Sequence, residues 1–114
     1  MKNFLLLIFV FALTQSAYAS GPSGSGYITE FYTNASGSMA RVKFSTPIAN
    51  PDNCEAGDYY IVELDDSAGS NRYYSALLMA FTTKKIVNFW IIGCTNTKYW
   101  GHTRPKLHDV YIQQ

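Results

Sequence analysis

Between Asn96 and Arg104 the chain reads NTKYWGHTR, which gathers two aromatic rings, an amide, an imidazole, a lysine and an arginine into nine residues. A sugar ring presents an apolar C–H face and a rim of hydroxyls. It is best met by an aromatic platform beside amides and charged donors. Trp100 or Tyr99 would be that platform, and Asn96, His102 and Arg104 the polar contacts. The competing reading is that the same rings cap one end of the fold or lie in a subunit interface, where aromatics and Arg are enriched.

Catalysis is not expected, and neither is a metal or a cofactor. His102, His108 and Asp109 are the residues that suggest a metal. A zinc site wants three or four ligands, and these would converge only with a favourable bend, so they read as surface or interface residues. A nucleophile needs a Ser or Cys held against an imidazole. Both cysteines are otherwise engaged, as argued below, and no Ser sits in a recognisable elbow motif. A glycosidase needs two carboxylates across a cleft. The adjacent pair Asp65-Asp66 falls at a turn and reads as solvated, with a capping role open to it. Asn88, inside an apolar run, reads as a satisfied core amide.

The N-terminus sets the compartment. Lys2, the apolar run Phe4–Leu13 and the triplet Ala17-Tyr18-Ala19 have the layout of a secretory signal peptide over residues 1–19, cleaved after Ala19. The run is shorter than the roughly 20 apolar residues needed to span a bilayer, so stable membrane insertion is not expected. The mature chain is then Ser20–Gln114, 114 less 19, or 95 residues. Its location is secreted or periplasmic. Losing Lys2 takes the formal net charge from +1 to zero, without the basic footprint of a nucleic-acid binder. Cys54 and Cys94 are the two cysteines of the chain, and in an oxidising compartment they are expected to pair. A loop of that length is worth roughly 3–4 kcal/mol in the chain-entropy account.

The elements that must carry the loop follow from pattern. Residues 20–26, SGPSGSG, read as a flexible linker, and the domain as 27–114. Tyr27–Thr33 and Met39–Ser45 alternate as two strands of a hairpin with one wet face, on which Arg41 and Lys43 lie. A loop at Thr46–Gly57 holds Cys54, and a third strand runs Asp58–Asp65 with Tyr60, Val62 and Leu64 on one face. Ser70 or Asn71 then caps a helix whose stripe is Tyr74, Leu77, Leu78 and Phe81, with Lys84 and Lys85 in its last turn. Ile86–Cys94 is apolar enough for a strand buried on both faces. The last strand, Leu107–Gln113, turns Val110 and Ile112 inward, with a bulge near His108-Asp109.

The fold class is therefore mainly β with one helix, in the order β1-β2-β3-α-β4-β5. That order fits an OB-like five-stranded barrel, and another small sheet with one helix across it stays open. An exported chain of this size, with one disulfide and this element order, resembles the OB-fold B subunits of bacterial AB-type toxins. The pattern Tyr74-Ser75-Ala76-Leu77-Leu78-Met79-Ala80, Lys85-Ile86-Val87, Gly93-Cys94, Pro105 and Val110-Tyr111-Ile112 also resembles a set of small exported bacterial proteins of undefined role. The likeness covers Cys54–Ile112. It implies a ring-shaped homo-oligomer, a cell-surface glycan or glycoconjugate as partner, and a separate catalytic partner chain. No glycan-binding residue of those subunits matches a position here. The expected function is an exported binding module for a glycan. The alternative is a periplasmic protein-interaction or inhibitor module without a glycan ligand.

Overall fold

The computed structural model describes residues 19–114, so the expected signal peptide lies outside the described residues except for Ala19. The elements are β1 (Ser20–Gly26), β2 (Ile28–Thr33), β3 (Met39–Phe44), β4 (Tyr60–Glu63), α1 (Ala68–Thr83), β5 (Ile86–Cys94) and β6 (Pro105–Gln113). The protein is mainly β, with one helix among the described residues and the Cys54–Cys94 disulfide, whose Cα atoms are 5.6 Å apart. In place of a five-stranded barrel, the strands form a six-stranded sheet in the order β1-β5-β6-β4-β3-β2. The sheet is mixed: β4 and β6 run parallel, joined at Ile61↔Lys106, and the other neighbours are antiparallel.

The additional strand is the segment read as a linker. Its Gly/Ser/Pro composition has no hydrophobic period, so pattern could not reveal it. What holds it is hydrogen bonding and close approach. The pairing with β5 slips between Pro22 and Ser25, a bulge opposite Phe89. There the Ser23 hydroxyl accepts the Phe89 N–H at 2.9 Å and donates to the Gly24 carbonyl at 2.7 Å. Pro22 is tolerated because β1 lies at the end of the sheet order. Gly26 must be glycine for space: a Cβ there would lie 2.7 Å from Ser45 Oγ and 2.8 Å from the Phe44 ring.

The core lies between one face of the sheet and the helix. Ala40 and Val42 of β3, Tyr60 and Val62 of β4, Val87, Phe89 and Ile91 of β5 and Leu107 of β6 are buried against Leu77 and Ala80 of α1. β5 is buried on one face only. Val87, Phe89 and Ile91 point inward, while Asn88, Trp90 and Ile92 stay half-buried because no second layer covers them among the described residues. In β6, Val110 packs on the core, but Ile112 is 36% exposed near the strand end. The bulge expected near His108-Asp109 is present, since Trp90 pairs with Asp109 and Ile91 with Leu107, leaving His108 unpaired.

The helix starts earlier than its periodicity implied. Its N-cap is Ser67, whose hydroxyl accepts the Ser70 N–H at 3.1 Å, while Asp65 accepts the Ser67 N–H at 2.8 Å. Ser70 instead closes the turn by accepting the Asp65 N–H at 3.1 Å. The local hydroxyl–carboxylate bonds set the start, which an apolar count cannot see. The buried stripe is Leu77 and Ala80 flanked by Tyr73 and Phe81, and Leu78 is exposed. Lys84 is the left-handed C-cap rather than a last-turn residue.

A chain beginning at Tyr27 tests the role of β1. It is expected to melt more than about 10 °C below one beginning at Ser20, roughly 2 kcal/mol or more in a domain of this size. Equal melting temperatures would make β1 dispensable.

Candidate functional site

The loop between β5 and β6 is rigid by construction. At its base Thr95 N–H donates to Arg104 O at 2.9 Å, and the Thr95 hydroxyl accepts the Arg104 N–H at 3.2 Å. At its tip Tyr99 and His102 exchange both backbone hydrogen bonds, at 3.0 and 3.3 Å. The two residues between them, Trp100 (φ 50) and Gly101 (φ 83), are both left-handed. This is a two-residue hairpin turn of the primed type, whose first central position is normally Asn, Asp or Gly. A tryptophan there is a backbone outlier that costs on the order of 1–3 kcal/mol. The surroundings must hold it, and they do.

Arg104 is the centre of that support. The sequence offered it as a ligand contact, but its side chain is enclosed, and the residue is 4% exposed. Its Nε donates to Asp58 Oδ1 at 2.9 Å, and its Nη1 to the carbonyls of Tyr99 and His102. The guanidinium lies 4.2 Å from the centroid of the Tyr59 ring. Arg104 therefore orders the loop from within. The correction has a simple origin: the carboxylate that permits burial is 46 positions away in sequence. A second strap runs from Cys54–Ala56. Ala56 N–H donates to Thr103 O at 3.0 Å, Glu55 N–H to the Thr103 hydroxyl at 3.1 Å, and Thr103 N–H to the Glu55 carboxylate at 3.1 Å.

The other expected contacts divide by exposure. Trp100 is 51% exposed and is the platform available to solvent. Tyr99 packs half-buried against Met39, Tyr59 and Ile61, with its hydroxyl 3.4 Å from Glu63. Burial first, and the Glu63 charge second, push its phenol up. Asn96 is exposed, anchored by its backbone N–H to Glu63 at 2.9 Å, and His102 is exposed at the turn. His108 lies 3.0 Å from Asp109 on β6. Among the described residues no three His, Cys, Asp or Glu side chains gather as a metal would need.

Three residues that pattern reading left out complete the surface. Tyr32 and Arg41 are cross-strand partners on β2 and β3, and Tyr59 immediately precedes β4. The Trp100 ring meets Tyr32 edge to face at 5.5 Å and Tyr59 at 5.8 Å. The Arg41 guanidinium lies 4.7 Å from the Trp100 centroid, 5.0 Å from Tyr59 and 5.1 Å from Tyr32. Arg41 Nη2 is 2.6 Å from Glu30, which also takes Lys43 at 3.1 Å. The Lys43 and Arg41 hydrogen bonds hold the Glu30 carboxyl below its ordinary range. The wet face of the hairpin was the signal that could have found this set. A groove of about 220 Å³ opens between the hairpin and the loop, lined by Tyr32, Asn34, Met39, Lys98, Tyr99 and Trp100. Larger grooves, of about 450 Å³ at Tyr27, Phe81 and Lys84 and about 360 Å³ beside the helix start, lack this convergence of exposed rings and polar groups.

No family model matches the chain, and no curated protein or solved structure does either.

Two carboxylates hold the loop, and both titrate below their ordinary range. Burial pushes Asp58 up, but the Arg104 hydrogen bond and backbone N–H groups outweigh it. Glu55 is lowered by the Thr103 N–H and then by Lys98. A depressed carboxyl stabilises above its unfolded pKa and releases as pH falls through the folded one. Trp100 emission, read in a Trp90→Phe, His102→Gln chain so that no imidazole stands beside the indole, is therefore expected to stay constant from pH 7.5 to about 4.5 and to shift only below about pH 4. A change centred near pH 6 would show that these carboxylates do not hold the loop.

Proposed function

We propose that the protein is an exported binding module that recognises a glycan or glycoconjugate without turning it over. The observation that supports this reading most is Trp100. A half-exposed indole stands at a backbone position that disfavours it, steadied by two tyrosines and a guanidinium. Asn or Gly would serve the turn itself better, so the indole stands there for its ring. The adjoining groove, of about 220 Å³, has room for a sugar ring, and Asn34 and Lys98 are among the residues that line it. Asn96 and His102 are the further polar contacts, exposed on the same loop.

The six-stranded sheet keeps one feature that an OB-like architecture would need. β1 and β2 stand at opposite ends of the hydrogen-bonded order yet are separated in the chain by Tyr27 alone. As two halves of one bent strand they would bring the ends of the sheet towards each other. The resemblance to toxin B subunits then carries its further implications, a homo-oligomeric ring and a separate catalytic partner chain. Exposed Leu78 and Met79 on α1 and Ile86 and Tyr111 on the β5–β6 pair offer apolar surface for such contacts. The same surface favours the second reading, a protein-interaction or inhibitor module of the periplasm.

A glycan array probed with the mature chain is expected to give saccharide hits that Trp100→Ala abolishes while the melting temperature holds within a few degrees. Hits that survive Trp100→Ala would move the site elsewhere, and no hits at all would favour the second reading. Light scattering is expected to give a multiple of the protomer mass, and a clean monomer would remove the ring.

A further inference from the structure

We infer that Arg41 is a specificity-determining residue: its guanidinium fills the aromatic cage of Tyr32, Tyr59 and Trp100 and so fixes the indole and bars a cationic ligand. The inference rests on Trp100 as the binding platform and adds which charge class that platform accepts. Three rings lie within 5.1 Å of the Arg41 guanidinium carbon, inside the roughly 6 Å over which a cation is drawn to a ring face. Cages of this composition are how proteins take quaternary ammonium groups. Here the chain supplies the cation itself.

Two further observations show that the guanidinium belongs in the cage. Glu30 grips it at 2.6 Å from outside the rings, and Lys43 at 3.1 Å holds Glu30 in turn. The Arg41 Nε is buried without a hydrogen-bond partner among the described residues. A guanidinium placed to satisfy its donors would turn that nitrogen toward an acceptor. What the guanidinium meets is the three rings and Glu30, so the cation–π contacts and the Glu30 bond set the pose. A ligand ammonium on the outer side of Trp100 or Tyr32 would meet a like charge across a single ring. The cage is already filled by the chain's own cation, so the platform suits neutral sugars and rejects amino sugars and alkylammonium groups.

The test uses the mature chain with Trp90→Phe, which leaves Trp100 as the sole indole. In the parent, acrylamide is expected to quench Trp100 as it does a half-exposed indole, and tetramethylammonium chloride to leave its emission unchanged. Arg41→Ala is expected to raise the quenching and to create a saturable response to tetramethylammonium. Arg41→Lys, which keeps a cation in the cage, should behave as the parent does. Should Arg41→Ala fail to fold, Arg41→Gln, neutral and closer in length, is read by its acrylamide quenching alone. A parent that binds tetramethylammonium as well as Arg41→Ala does, or a neutral variant whose indole stays as protected as the parent's, would overturn the inference. Neither readout uses a sugar, so an array without hits and a failure of the Arg41 assignment are distinguishable.

Discussion

The seam between β4 and β6 is the constraint on which the rest depends. It is the one parallel contact in the sheet, and its register is a single pair, Ile61↔Lys106. So short a pairing needs support from outside the ladder. Arg104, immediately before β6, supplies it by reaching Asp58, two residues before β4. The Tyr59 ring under that guanidinium and the Cys54–Ala56 strap on Thr103 reinforce the same seam. The disulfide ties the strap to the end of β5. The buried cation, the strap and the disulfide together fasten the three strands β2-β3-β4 to the three strands β1-β5-β6. The same guanidinium orders the loop that displays Trp100, so fold and site share one of these fastenings.

Much of this was legible from residue order, and the failures have physical causes. Alternation in Met39–Phe44 and Tyr60–Glu63 named the inward residues correctly, because one face of those strands meets the core and the other meets water or a small satellite cluster. The disulfide followed from a count of two cysteines, and the bulge from the parity of Leu107 against Val110. β1 was hidden because it is held by the Ser23 hydroxyl and by the close approach at Gly26, neither of which leaves a hydrophobic period. The helix start moved to Ser67 for a related reason, since short polar side chains set it.

The candidate loop stood out by composition, but the division of labour within it did not. Arg104 and Trp100 are four residues apart and look equally available in the sequence. Burial of the first needs Asp58 and Tyr59, and exposure of the second needs Gly101 to share a left-handed turn. Tyr32 and Arg41 were not joined to the loop in sequence because they come from the hairpin β2–β3; its wet face was the one signal, and the fold brings them under the loop. A composition search finds residues near one another in sequence. A site assembled across a seam is composed mostly of residues that are not.

The turn at Trp100 and Gly101 also bears on kinetics. A loop closed by paired hydrogen bonds at its tip and base has little conformational freedom left to surrender when something docks on it. Encounter with such a surface needs no slow ordering step, so association would run at the pace of orientation and diffusion. Differences among ligands would then appear in how long each one stays.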